Sequence, residues 1–154
     1  GIIADNRYPI YDPKPMVRFD MATYEHRVLE GPTSDVYRCS FSPDGKRIAT
    51  ASQDGSVRMW SVGAGRVEHT FEGTKNNPAY AVAFSGDGQT LAAVGDDHRL
   101  RCWNVEEFRL ESDREMTSRA LYAVAFAPGQ PHILVAGEDG IVYLIAKVDA
   151  ASHP

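Results

Sequence analysis

Three aspartates, Asp54, Asp97 and Asp139, recur 43 and 42 residues apart, each inside a short run of turn-forming residues. Carboxylates in such places can ligate a hard cation, above all where acid is dense, as in Asp96-Asp97-His98 and Glu138-Asp139. The periodicity favours another role. Each copy places one Asp in the same repeated turn, where it reads as structural. No metal site is expected. The five histidines, at 26, 69, 98, 132 and 153, show no His-x-x-x-His spacing, and no Cys-x-x-Cys accompanies them. No serine stands in a nucleophile-elbow context. Gly63-Ala-Gly65 lacks the third glycine of a dinucleotide loop and reads as a hairpin turn. No catalytic residue is assigned, and no cofactor is expected.

The elements that must hold these aspartates repeat with the same period. Phe41, Phe84 and Phe126 close three alternating apolar segments, while Trp60, Trp103 and Ile145 stand near the ends of three others, at the same 43- and 42-residue intervals. Each copy runs strand, turn, strand, Asp turn, strand. The first strands begin Val36, Tyr80 and Tyr122, the second strands Ile48, Leu91 and Ile133, and the third strands lead from the Asp turns to Trp60, Trp103 and Ile145. Pro43-Asp44-Gly45, Gly86-Asp87-Gly88 and Pro128-Gly129 supply the first hairpin turn. Fourth strands follow at 66–72 and 108–111. The alternation puts Tyr37, Cys39 and Phe41 on one face of the first strand, with small alanines opposite the large residues in the later copies, as suits a sheet stacked on both sides. The tyrosine series Tyr37, Tyr80 and Tyr122 reads as packing between blades rather than as a ligand ladder. This is the pattern of a β-propeller: small four-stranded sheets that cover their apolar faces only by packing on neighbours.

Upstream, 24–31 resembles 67–73 and reads as the fourth strand of a preceding blade, with 16–20 as its third strand. Residues 1–15, with three prolines and two tyrosines, read as an extended docking arm, 16–147 as a partial ring of about three and a half blades, and 148–154 as a short tail. The formal charge is −5 with both signs interspersed, so no basic stripe faces a phosphate backbone, and direct nucleic-acid binding is not expected. No apolar run is long enough to span a bilayer. Cys39 and Cys102 read as reduced strand residues, in keeping with an intracellular setting.

Phe-Ser-Pro-Asp-Gly at 41–45 and Ser-Gln-Asp-Gly-Ser-Val-Arg-Met-Trp at 52–60 resemble the WD40 repeat family, and the likeness extends over roughly 16–147. The resemblance implies an all-β propeller, a platform for partner proteins and no intrinsic catalysis. It also implies a hydrogen-bonded structural tetrad of Asp, Ser or Thr, Trp and His. Thr50, Asp54 and Trp60 fit it in the first copy; Asp97 and Trp103 remain in the second, where Ala93 replaces the hydroxyl; Asp139 alone remains in the third. The His is absent from every copy, and water or backbone groups are expected in its place. The resemblance further implies that loops joining fourth to first and second to third strands share one partner-binding face. Here these are 31–35, 52–56, 74–78, 95–98, 113–119 and 137–140, with Gln53, Asn77, Asp96, Arg119 and Glu138 as candidate contacts. The expected role is a non-catalytic interaction scaffold, part of a longer propeller or a subunit whose ring other chains complete. A self-assembling half-propeller forming a homodimeric closed ring, and a module attached to an enzyme whose catalytic part lies outside this chain, stay open as alternatives.

Overall fold

The computed structural model describes residues 26–31, 34–71, 73 and 76–146. The N-terminal arm, the strand expected at 16–20 and the tail lie outside the described residues. Eleven strands and no helix occur among those described. The first sheet holds β1 (Val36–Phe41), β2 (Arg47–Ser52), β3 (Val57–Ser61) and β4 (Arg66–Phe71). The second holds β5 (Ala79–Phe84), β6 (Thr90–Gly95), β7 (Arg99–Asn104) and β8 (Arg109–Glu115). The third holds β9 (Leu121–Phe126), β10 (His132–Gly137) and β11 (Val142–Ala146). Every sheet is antiparallel with neighbours in chain order, and β1, β5 and β9 lie side by side as the inner strands. Within 26–31, Glu30 makes an isolated parallel bridge to Arg66, and no strand is formed there.

The hairpins between first and second strands are built alike. In the first two blades, Ser42 Oγ donates to Asp44 Oδ1 (2.7 Å) and Ser85 Oγ to Asp87 Oδ1 (2.6 Å). In the Asp turns, one position adopts left-handed backbone in all three blades: Gly55 (φ 81°), His98 (φ 69°) and Gly140 (φ 75°). His98 therefore holds a conformation that only glycine adopts without strain.

Burial follows position in the stack. Leu91, Ala92, Ala93 and Val94 of β6 are all buried because the middle blade is covered on both faces, which a nearly continuous apolar run permits. Ala49, Met59 and Phe71 of the first blade pack with Val82, Phe84 and Trp103 of the second. Ala81, Leu100 and Cys102 on the opposite face pack with Leu121, Ile133 and Val135 of the third. β8, the outermost strand of its blade, is exposed throughout.

The inner strands depart from simple alternation at one place each. Val36 pairs with Ser52 and Arg38 with Ala51, Ala79 with Gly95 and Ala81 with Val94, and Leu121 with Gly137 and Ala123 with Ala136. Tyr37, Tyr80 and Tyr122 are thus the extra residues of three β-bulges. The bulge lifts each tyrosine off the face that alternation assigns to it, while Val82 and Phe84 keep theirs.

Candidate functional site

The three aspartates are bound in one pattern. Oδ1 accepts from the backbone N–H two residues on: Ser56 on Asp54 (3.0 Å), Arg99 on Asp97 (3.3 Å) and Ile141 on Asp139 (3.0 Å). Oδ2 meets the side chain four residues on: it accepts from Arg58 Nη2 (2.7 Å) and Tyr143 Oη (2.6 Å), and in the second blade forms an ion pair with Arg101 Nη1 (2.6 Å). Each carboxylate thus meets one backbone N–H and one side chain of the third strand. The signal was in the sequence as Asp-x-x-x-Arg, Asp-x-x-x-Arg and Asp-x-x-x-Tyr, a spacing that spans the turn and returns to the same side of the third strand.

Burial works to raise the Asp54 carboxyl, and hydrogen bonds from Ser56 and the Arg58 guanidinium outweigh it, holding the group down at about 2. The Tyr143 hydroxyl and the Ile141 N–H hold the Asp139 carboxyl below the ordinary range, and the same bond pushes the Tyr143 phenol up. Carboxylates engaged in this way fix a turn. Among the described residues, no group of three or more His, Cys, Asp or Glu stands together as a metal site.

Trp60 Nε1 donates to Thr50 Oγ1 at 2.9 Å inside the first blade, with both residues buried. The Asp54–Arg58 pair is a separate element beside it, with Arg58 directly across the ladder from Thr50. Arg58 Nε and Ser52 Oγ are buried with no partner among the described residues.

The candidate contact residues converge on one end of the sheets. Gln53, Asp96 and Glu138 hold equivalent places, and each backbone N–H donates to a carbonyl just before an inner strand: Asp35 (2.8 Å), Pro78 (2.9 Å) and Ala120 (2.9 Å). Arg119 Nη1 reaches Glu138 Oε1 at 3.4 Å on the same edge. Asn77 lies in the segment leading to β5. The expected loop at 113–119 is shorter than its sequence suggested, since β8 runs to Glu115, and Asp113 is a strand residue paired with Arg99 (2.5 Å) and Arg101 (3.4 Å). Charges at every second position of an exposed strand left no apolar alternation to mark it. The three bulge tyrosines stand in a row near this end, ring centroids 5.4 Å apart for Tyr37–Tyr80 and 5.2 Å for Tyr80–Tyr122, with Tyr80 Oη 3.5 Å from Asp96 Oδ1. Burial, then the Asp96 charge, raises the Tyr80 phenol. Tyr37 and Tyr122, at the ends of the row, are 43% and 49% exposed.

Comparison with known proteins agrees with this architecture. The family described as WD domain, G-beta repeat matches residues 24–61 and 65–104; the third copy, in which Ile145 stands for Trp, lies outside both segments. Protein hir-1 of Neurospora crassa is 67% identical over 30 residues, 20% of this chain and 3% of that protein. The WD repeat-containing protein RUP2 of Arabidopsis thaliana is 39% identical over 74 residues, 48% of this chain and 18% of that protein. This chain therefore spans only a small part of those relatives. The solved structures of U3-55K and of the RRP9 WD40 repeats superpose with TM-scores of 0.72 and 0.71 at 24% identity, over 77% of this chain and 38% and 37% of theirs. By its repeats, its sheets and these matches, the chain belongs to the WD40 repeat family.

Proposed function

We propose that the chain acts as a non-catalytic protein-interaction scaffold whose ring is completed within a larger assembly, by another part of a longer propeller or by other subunits. The observation that carries this reading is a contrast between equivalent positions. Phe41 is 65% exposed, whereas Phe84, its counterpart in the middle blade, is 8% exposed. At the other end Val142 and Leu144 are 64% and 68% exposed, against 3% and 7% for Leu100 and Cys102. The same side chains that form an interior between blades are left bare on both outer faces, and apolar patches of that kind mark surfaces made to be covered. Residues 1–15 serve in this reading as a docking arm. Recognition falls to the loop face that carries Gln53, Asn77, Asp96, Arg119 and Glu138, because loops held on a rigid scaffold are where binding residues concentrate.

Light scattering behind size-exclusion chromatography, across a range of concentrations, tests the ring. The expected result is a chain that self-associates without a defined stoichiometry and becomes a sharp species only when the missing blades are supplied. A sharp, concentration-independent species at twice the chain mass overturns this reading in favour of a homodimeric closed ring.

A further inference from the structure

The two blade junctions have the same backbone plan and different fillings. Between the first and second blades, Phe71 is fully buried, with its ring 5.3 Å from Trp103 and 6.1 Å from Phe108, and His69 stacks on Phe108 at 4.2 Å. One repeat later, Arg114 stands where Phe71 stands, Ser112 where His69 stands and Ile145 where Trp103 stands; the ladder pairings Val57–Phe71 and Leu100–Arg114 place the first pair in the same register. A groove of about 760 Å³ lies between the second and third blades, floored by Leu100, Cys102, Phe126, Ile133 and Ile145 with Arg114, in the place of Phe71, at its side. That is the size and apolar lining of a site that takes a ligand side chain.

Its charge is specific. Arg114 forms no ion pair among the described residues. Two acids also line the groove: Glu111 stands 3.8 Å from Arg109, and Asp87 accepts from Ser85 and from the N–H of Gln89. The groove thus lacks the Phe71 ring of its sister junction and presents a cation with no ion-pair partner among the described residues.

We propose that this groove docks a peptide segment of a protein partner that carries an aromatic side chain next to a carboxylate. The ring takes space equivalent to that filled by Phe71 one junction earlier, and the carboxylate pairs with the Arg114 guanidinium. The proposal rests on the scaffold reading only in taking a protein as the ligand. It is independent of ring closure, since both blades that form the groove belong to this chain.

The test is an NMR titration of the full chain with three probes: acetyl-Phe-Glu-amide, acetyl-Phe-Gln-amide and acetyl-Ala-Glu-amide. The expected result is saturable shifts at Leu100, Ser112 and Ile145, with the first probe at least fivefold tighter than either of the others. Arg114→Gln should remove that preference for Glu over Gln while leaving the fold unchanged. Arg114→Phe should fill the groove, abolish binding of all three probes and raise the unfolding midpoint. Equal affinity for the three probes, or shifts elsewhere on the surface, overturns the proposal. So does binding that emerges only after deletion of residues 147–154, which would assign the groove to this chain's own segment.

Discussion

Replacing Thr50 with Val keeps the side-chain shape and removes the oxygen that accepts from Trp60 Nε1 at 2.9 Å. Trp60 is 5% exposed and Thr50 8% exposed, so water does not readily replace the lost partner and the indole N–H is left desolvated. An orphaned buried donor costs about 1–3 kcal/mol. For a chain of this size, each kcal/mol moves the melting midpoint by about 2–4 °C, so a loss near the middle of the range lowers it by ~4–8 °C. Near-UV circular dichroism follows the transition through the tryptophans, and urea titration with an unchanged slope separates a true stability change from an altered unfolded state. The decisive comparison is a cycle: T50V should be costly in the wild-type background and nearly silent in the W60F background, with a coupling of about 1–2 kcal/mol. T50S, which keeps the hydroxyl, should recover most of the loss. If T50V costs the same with and without the indole, the bond is not what the threonine contributes and the reasoning fails.

Four further outcomes follow from the same geometry. Asp54 has an ordinary value of 3.8 and is held at about 2 when folded, so its contribution to stability is complete above pH 3.8 and is lost as pH falls toward 2; Asp54→Asn should flatten the change in urea midpoint across that window. Phe71→Ala empties the centre of the first junction and should cost about 3–5 kcal/mol by urea denaturation. At Gly137, an added Cβ would collide with the carbonyl oxygen of Ala120, so Gly137→Ala should destabilise by about 1–3 kcal/mol in the same assay. Ser52 Oγ is buried with no partner among the described residues, so Ser52→Ala should leave the midpoint unchanged or raise it by up to about 1 kcal/mol.

The repeat made the strands legible because each blade must bury the same faces at the same period. Phe41, Phe84 and Phe126 sit at the ends of β1, β5 and β9 where alternation puts them. What alternation hides is anything that breaks parity. A β-bulge inserts one residue and is invisible to a period-2 pattern, so the extra position at each tyrosine went unmarked, while the tyrosine rings do meet from blade to blade. β8 escaped full recognition for the opposite reason, having no buried face to show. The carboxylate partners Arg58, Arg101 and Tyr143 differ in chemistry and share only a position and a donor group, so attention to residue identity passed over them. The groove beside Arg114 is likewise a property of a difference between copies, legible only when Phe71 and Arg114 are set side by side.

The bond from the start of each Asp turn to the carbonyl before each inner strand links backbone to backbone: Gln53 to Asp35, Asp96 to Pro78, Glu138 to Ala120. None of the six side chains takes part in it. The amide, the acid and the longer acid that top the three blades can therefore be exchanged without moving the chain that carries them. A surface wired in this way separates the task of holding its shape from the task of choosing a partner, so new recognition can arise one substitution at a time while the framework beneath keeps its spacing.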